Sequence, residues 1–222
     1  MKKTYLISSV LALLVLLGGI FLVRGIGQPN DIALSDRFTS SFLQEDIKTD
    51  EGFHFFESQN GHYSMWYPEG FYLQDEPPSY ISKDHYELLN LYEDGTDSNG
   101  IERHIQMRYS GELNPQLIDT DLNLLLDEFA FNGEYTEINY DSNKIYYGSS
   151  HKKMDGTKVI TSSPSEHEAN QHFALVVNKD DTKSVTISYR LNCIGQTTCE
   201  IDTAIEKSFF DTFITQIQFQ ER

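Results

Sequence analysis

Apolar and polar positions alternate most clearly over 101–109. Ile101, Ile105, Met107 and Tyr109 share one face, and Glu102, His104, Gln106 and Arg108 share the other. Arg103 interrupts the apolar side once. Period-two spacing of this kind predicts a half-buried strand. Val185, Ile187, Tyr189 and Leu191 repeat the pattern. Phe173–Val177 is continuously apolar, which predicts a strand covered on both faces and central in its sheet. Shorter strands are predicted at Phe53–Phe56, Tyr63–Tyr67, Tyr86–Tyr92, Glu137–Tyr140, Lys144–Tyr147, His151–Lys153 and Lys158–Thr161. Turn residues separate them: Asn60-Gly61, Pro68-Glu69-Gly70, Asp141-Ser142-Asn143, Asp155-Gly156 and Asn178–Asp181.

The period changes to that of a helix at two places. Ile118, Leu122, Leu125, Leu126 and Phe129 form one apolar stripe. Asp119, Thr120 and Asp121 at its start are read as cap and dipole-matching residues, and Asn132-Gly133 ends it. A closing helix is predicted over about Cys199–Phe219, with Ile201, Ile205, Phe209, Phe210, Phe213, Ile214 and Ile217 inward. Thr197 and Glu200 are spaced as a capping box. A further short helix is expected across Phe38–Ile47. The predicted class is α+β: an antiparallel sheet with a mid-chain helix and a C-terminal helix packed on it.

The N-terminus follows a different rule. Tyr5–Val23 is free of charge, with Lys2 and Lys3 before it and Arg24 after it. A helix of that length reaches roughly 28 Å, close to the hydrocarbon thickness of a bilayer. The run is longer than the apolar region of an ordinary cleaved signal, so residues 1–24 are read as a single transmembrane signal anchor, with a signal cleaved at the small-x-small site Gly25-Ile26-Gly27 as the alternative. The charge bias places the N-terminus in the cytoplasm and the rest outside. No Cys precedes Cys193, so a lipid-modified N-terminal Cys is excluded. Residues 25–51 read as a stalk, and residues 52–222 as an extracytoplasmic domain.

The segment Tyr63-Ser64-Met65-Trp66-Tyr67-Pro68-Glu69-Gly70-Phe71 resembles the opening strand and turn of the PsbP/DcrB-like superfamily. The order of elements over 53–219 is similar to that superfamily as well. The resemblance implies an α+β fold and a bacterial membrane-anchored extracytoplasmic protein. Members include a photosystem subunit, a small-GTPase binder and cell-envelope proteins, so the resemblance selects no activity.

Charge narrows the partners. The chain has 17 Lys+Arg against 34 Asp+Glu, a net of −17. Removing Lys2, Lys3 and Arg24 leaves 14 basic and 34 acidic residues, a net of −20 on the part beyond the span. Nucleic acid is excluded as a partner, because phosphate contacts need Lys and Arg. Anionic lipid and polymer repel such a domain.

Cys193 and Cys199 stand at the end of the last strand and the start of the last helix. Outside the membrane such a pair oxidises, and a structural disulfide is expected. Glu93, Asp94, Asp97 and Asn99 offer the carboxylate and amide oxygens that Ca²⁺ prefers, in a loop that composition alone also explains as a turn. No other cofactor is expected. Glu166-His167-Glu168-Ala169-Asn170-Gln171-His172 is one residue too long for a zinc-protease helix motif. Asp75, Glu76, Pro77, Pro78 and Tyr80 form a candidate partner-contact loop. The aromatics Trp66, Tyr67, Phe71, Tyr72, Tyr80 and Tyr86 are core residues on the bland reading and a glycan groove on the functional one. No catalytic motif stands out. The leading expectation is a membrane-anchored, non-enzymatic domain that binds an envelope protein. A cation- or glycan-binding module is second, and an envelope hydrolase with a Ser, His and carboxylate drawn from distant positions is third.

Overall fold

The computed structural model describes residues 31–155, 157–162, 168–194 and 199–220. In chain order the elements are α1 (Ile32–Ser35), α2 (Arg37–Ser40), β1 (Leu43–Gln44), β2 (Phe53–Glu57), β3 (Tyr63–Pro68), β4 (Phe71–Leu73), β5 (Tyr80–Lys83), β6 (Tyr86–Glu93) and β7 (Ile101–Ser110). After a 3₁₀ turn at Pro115–Leu117 come α3 (Ile118–Glu128), β8 (Thr136–Tyr140), β9 (Asn143–Asp155), β10 (Lys158–Ser162), β11 (Gln171–Asn178), β12 (Ser184–Cys193), α4 (Thr203–Thr215) and β13 (Gln218–Phe219).

The larger sheet runs β10-β9-β11-β12-β7-β6-β4, with β5 also on β6 and β8 also on β9. All its pairings are antiparallel, and β11 lies between β9 and β12 as its apolar run requires. The register sets Ile187 opposite Met107, Tyr189 opposite Ile105 and Leu191 opposite Arg103. The odd-numbered side of β7 and β12 therefore forms one inner face. A small sheet, β1-β2-β3-β13, and helix α4 cover that face. Tyr63 of β3 stacks on Tyr109 of β7 at 5.3 Å, and Phe210 of α4 stacks on Tyr189 of β12 at 6.0 Å.

The outer face is covered differently. Helix α3 and its C-cap residue lay Ile118, Leu122, Leu125 and Phe129 over Phe173, Leu175 and Val177 of β11. The outward residues of β7 and β6 lie beyond this cluster. Gly148 of β9 is where a strand and a ring approach closely: a Cβ there would stand 2.6 Å from the Phe173 ring.

Several expectations change. The segment 31–44, read as stalk, is packed into the domain. Asp31 caps α1 through the Ala33 amide (3.2 Å), accepts the Gly70 amide (2.7 Å) and pairs with His54 (2.5 Å). Ala33, Thr39 and Phe42 are buried. The helix expected at Phe38–Ile47 is instead two four-residue helices ending at Ser40, then a strand. The closing helix starts at Thr203 because Asp202 caps it, accepting from the Ala204 and Ile205 amides at 3.1 Å. Its packed face is Glu206, Phe210, Phe213 and Ile214, at i, i+4, i+7 and i+8, so Ile205 points outward, 63 % exposed, and Glu206 inward. The chain leaves the helix at Gln216 and adds β13 to β3. Thr197, named for a capping box, lies outside the described residues. So do residues 1–24, the expected signal anchor. Among the described residues no helix is long and apolar enough to cross a membrane.

Candidate functional site

The loop between β6 and β7 carries the acids considered for calcium. Two of them already have a cation. Arg103 points to the inner face, where its guanidinium meets Glu93 (3.1 Å), Asp97 (2.9 Å) and Glu206 of α4 (2.6 Å). Glu206 is buried and also accepts the Tyr189 hydroxyl. Asp97 further accepts the backbone amides of Asn99 (2.8 Å) and Ile101 (3.0 Å), closing the loop. Asp94 and Asn99 are exposed. A guanidinium thus fills the position a metal would take, and among the described residues no group of three or more His, Cys, Asp or Glu is arranged to hold one. Burial alone would lower the Arg103 pKa, but Glu206 and Asp97 outweigh it and hold the guanidinium firmly charged. The cluster ties the first turn of α4 to the sheet.

Cys193 and Cys199 are joined in a disulfide, with their Cα atoms 5.6 Å apart. It binds the end of β12 to the approach to α4, close to the same helix start.

The loop 74–79 is split by burial. Asp75, Glu76, Pro77 and Pro78 are exposed. Tyr80, expected beside them as a contact residue, is buried instead: its hydroxyl lies 2.8 Å from the Gln59 side-chain amide and 2.9 Å from the Glu87 carboxylate. The parity of β5 explains this, because Tyr80 lies opposite Leu89 on the inward side. Burial raises the Glu87 carboxyl above the usual carboxylate range, against the hydrogen bonds from Tyr80 and the Gln59 backbone amide. The loop base is fastened to β6. The Asn90 side chain donates to the Pro78 and Ser79 carbonyls (3.1 and 3.2 Å), and the Ser79 and Tyr92 hydroxyls lie 3.2 Å apart. Beside this loop the outer face carries a row of rings, Tyr72 to Tyr92 at 6.0 Å and Tyr92 to His104 at 5.0 Å. All three are half-buried. Among the aromatics weighed for a groove, Tyr67, Phe71 and Tyr80 are core, while Trp66, Tyr72 and Tyr86 are half-buried.

One Ser–His pair was hidden by distance along the chain. The β9–β11 register sets Ser149 opposite His172, with Oγ and Nδ1 2.7 Å apart. Burial pushes the His172 pKa down to about 4, although Glu206 and Asp211 pull it upward. The ring lies between Tyr189 (5.6 Å) and Phe210 (5.4 Å), and its Nε2 has no hydrogen-bond partner among the described residues. A general base at neutral pH needs a pKa near 7 and an orienting partner on its second nitrogen. His172 has neither, and the pair is a packed core contact. His167, its companion in the rejected zinc motif, lies outside the described residues.

A sheet with one helix on its outer face, and a helix plus a small sheet on its inner one, is an α+β arrangement consistent with the Mog1/PsbP-like superfamily to which the family match points. Over residues 29–218 the chain matches the family described as "Putative lipoprotein YvcA", and it belongs to that family. The resemblance carried by Tyr63–Phe71 is therefore met at the level of the superfamily. No curated protein matches the chain.

Proposed function

We propose that this chain is a membrane-held, extracytoplasmic, non-enzymatic domain that docks an envelope protein at the Asp75–Pro78 loop and the adjoining Tyr72–Tyr92–His104 row. The supporting observation is the loop's construction. Its tip is exposed while its base is hydrogen-bonded to Asn90 beside the ring row. A fastened loop presents its contacts with little ordering entropy left to lose on binding. Half-buried Tyr and His rings supply contact area with polar edges.

Three features support the location. The family's description names a lipoprotein. The bonded cysteine pair suits an oxidising compartment. The uncharged run Tyr5–Val23 behind Lys2 and Lys3 suits a span with its C-terminal side outside. Lipidation at a Cys is not the proposed attachment, because the cysteines of this sequence are bonded to each other. The anchor is the apolar segment itself.

In-cell photo-crosslinking tests this reading, with a photoreactive residue at Glu76 and, separately, at the exposed Asp94. One dominant envelope protein captured at Glu76 and absent at Asp94 is the expected result. A folded, abundant protein that yields no specific adduct at Glu76 overturns it.

A further inference from the structure

Between α3 and the outer sheet face lies a cleft of about 490 Å³. That volume is within the range of small-molecule sites, roughly 300–1,000 Å³. Its walls come from elements far apart in sequence. Leu124 of α3 and Leu88 and Tyr86 of β6 supply apolar surface, and Leu124 is 58 % exposed. Arg108 of β7 and Thr186 and Ser188 of β12 supply polar groups.

Two of these polar groups are left without a protein counterpart. Ser188 is 5 % exposed, and its hydroxyl has no hydrogen-bond partner among the described residues. A buried hydroxyl without a partner is disfavoured, so such a group takes one from outside the chain, as a ligand atom or a water. Arg108 is exposed and takes part in none of the ion pairs among the described residues. The cleft has one carboxylate, Glu128, but Arg190 neutralises it at 2.6 Å. The local balance is therefore one uncompensated positive charge on a chain whose net charge is −17. A guanidinium offers a planar fork of donors that matches a carboxylate.

We propose that this cleft binds a small carboxylate-bearing molecule with an apolar stem. Arg108 holds the carboxylate, the Ser188 hydroxyl completes its hydrogen bonding to the ligand, and the stem lies against Leu88 and Leu124. The proposal does not depend on the protein-docking reading above, which uses a different stretch of the outer face.

The test uses the full-length chain and two probes of one shape, phenylacetate and its neutral isostere phenylacetamide, followed by NMR titration. Phenylacetate is expected to give saturable shifts at the amides of Leu124, Thr186 and Ser188, with phenylacetamide at least tenfold weaker. Arg108→Gln should weaken phenylacetate about tenfold. Ser188→Ala should weaken it several-fold while leaving the melting temperature unchanged or raised, which separates a ligand role from a structural one. The absence of saturable shifts, equal binding of acid and amide, or unchanged binding in Arg108→Gln would each overturn the proposal.

Discussion

Arg103 and Arg108 sit on one strand, five residues apart, and so point to opposite faces of the same sheet. Arg103 turns inward and meets three carboxylates, one of them from the last helix. Arg108 turns outward, is exposed and meets none among the described residues. The side-chain chemistry is identical. Parity alone makes one guanidinium a structural clamp and leaves the other free for something outside the chain. The inner face is closed by α4 and the small sheet. The outer face is closed only over β11, so its remaining charge is available.

The largest expected effect breaks the inner member of this comparison. Arg103→Met leaves Glu206, on the buried face of α4, facing Tyr189 without its cation. Urea denaturation should show a loss of about 3 kcal/mol, the lower end for breaking a buried pair, since Arg103 is partly exposed. Adding Glu206→Gln to that variant should restore part of the loss, because most of it comes from the unpaired buried charge.

Acid sharpens the comparison next. His172 lies on the inner face with a pKa near 4, below its unfolded value of about 6.5. A depressed histidine binds its proton more readily when unfolded. Its stabilising contribution is therefore complete above about pH 6.5 and is lost as pH falls toward 4. The expected loss across that window is roughly 2–3 kcal/mol. His172→Gln should flatten that part of the stability profile. Identical profiles for the two proteins would assign the acid sensitivity elsewhere.

A smaller effect comes from the second fastening near the start of α4. Cys193→Ser with Cys199→Ser should cost about 2 kcal/mol, as expected for so short a loop. Combined with Arg103→Met, the losses should exceed or fall short of their sum, since both hold the same end of one helix. Strict additivity would show that the two fastenings act independently. The smallest effect belongs to the outer arginine. Arg108→Gln should change stability by less than about 0.5 kcal/mol, and a larger loss would remove the contrast between the two faces.

Much of the fold was legible because it rests on periodicity. The alternation in β7 and β12 and the stripe of α3 appear where the residues themselves predict them. What escaped detection had no period to show. β4 and β5 span Phe71–Leu73 and Tyr80–Lys83, too short to establish alternation. β9 runs unbroken through Gly148, where the sequence reads as two pieces. The inward turn of Arg103 was visible only as an interruption of an apolar face, and its reason lay in Glu206, distant along the chain. The disulfide partners and the exposed Asp75–Pro78 tip could be named from sequence, but the burial of Tyr80 depended on strand parity in an element not foreseen. The Ser188 cleft could not be read at all. It needs the register of β12 on β7 and the placement of α3, neither of which a linear pattern specifies.

The three bonds of Asp31 set a leash length. With Tyr5–Val23 in the bilayer as proposed, only residues 25–30 separate Arg24 from a point fixed to the domain. Six residues reach at most about 20 Å, where a stalk running to Glu51 would have allowed about 90 Å. The domain would then stay in a thin layer just above the lipid headgroups and could not reach far from the membrane. The near side of an acidic body on so short a leash can come within one screening length, about 8 Å, of any anionic lipid. That repulsion would tilt it, favouring orientations in which its least acidic side faces the bilayer.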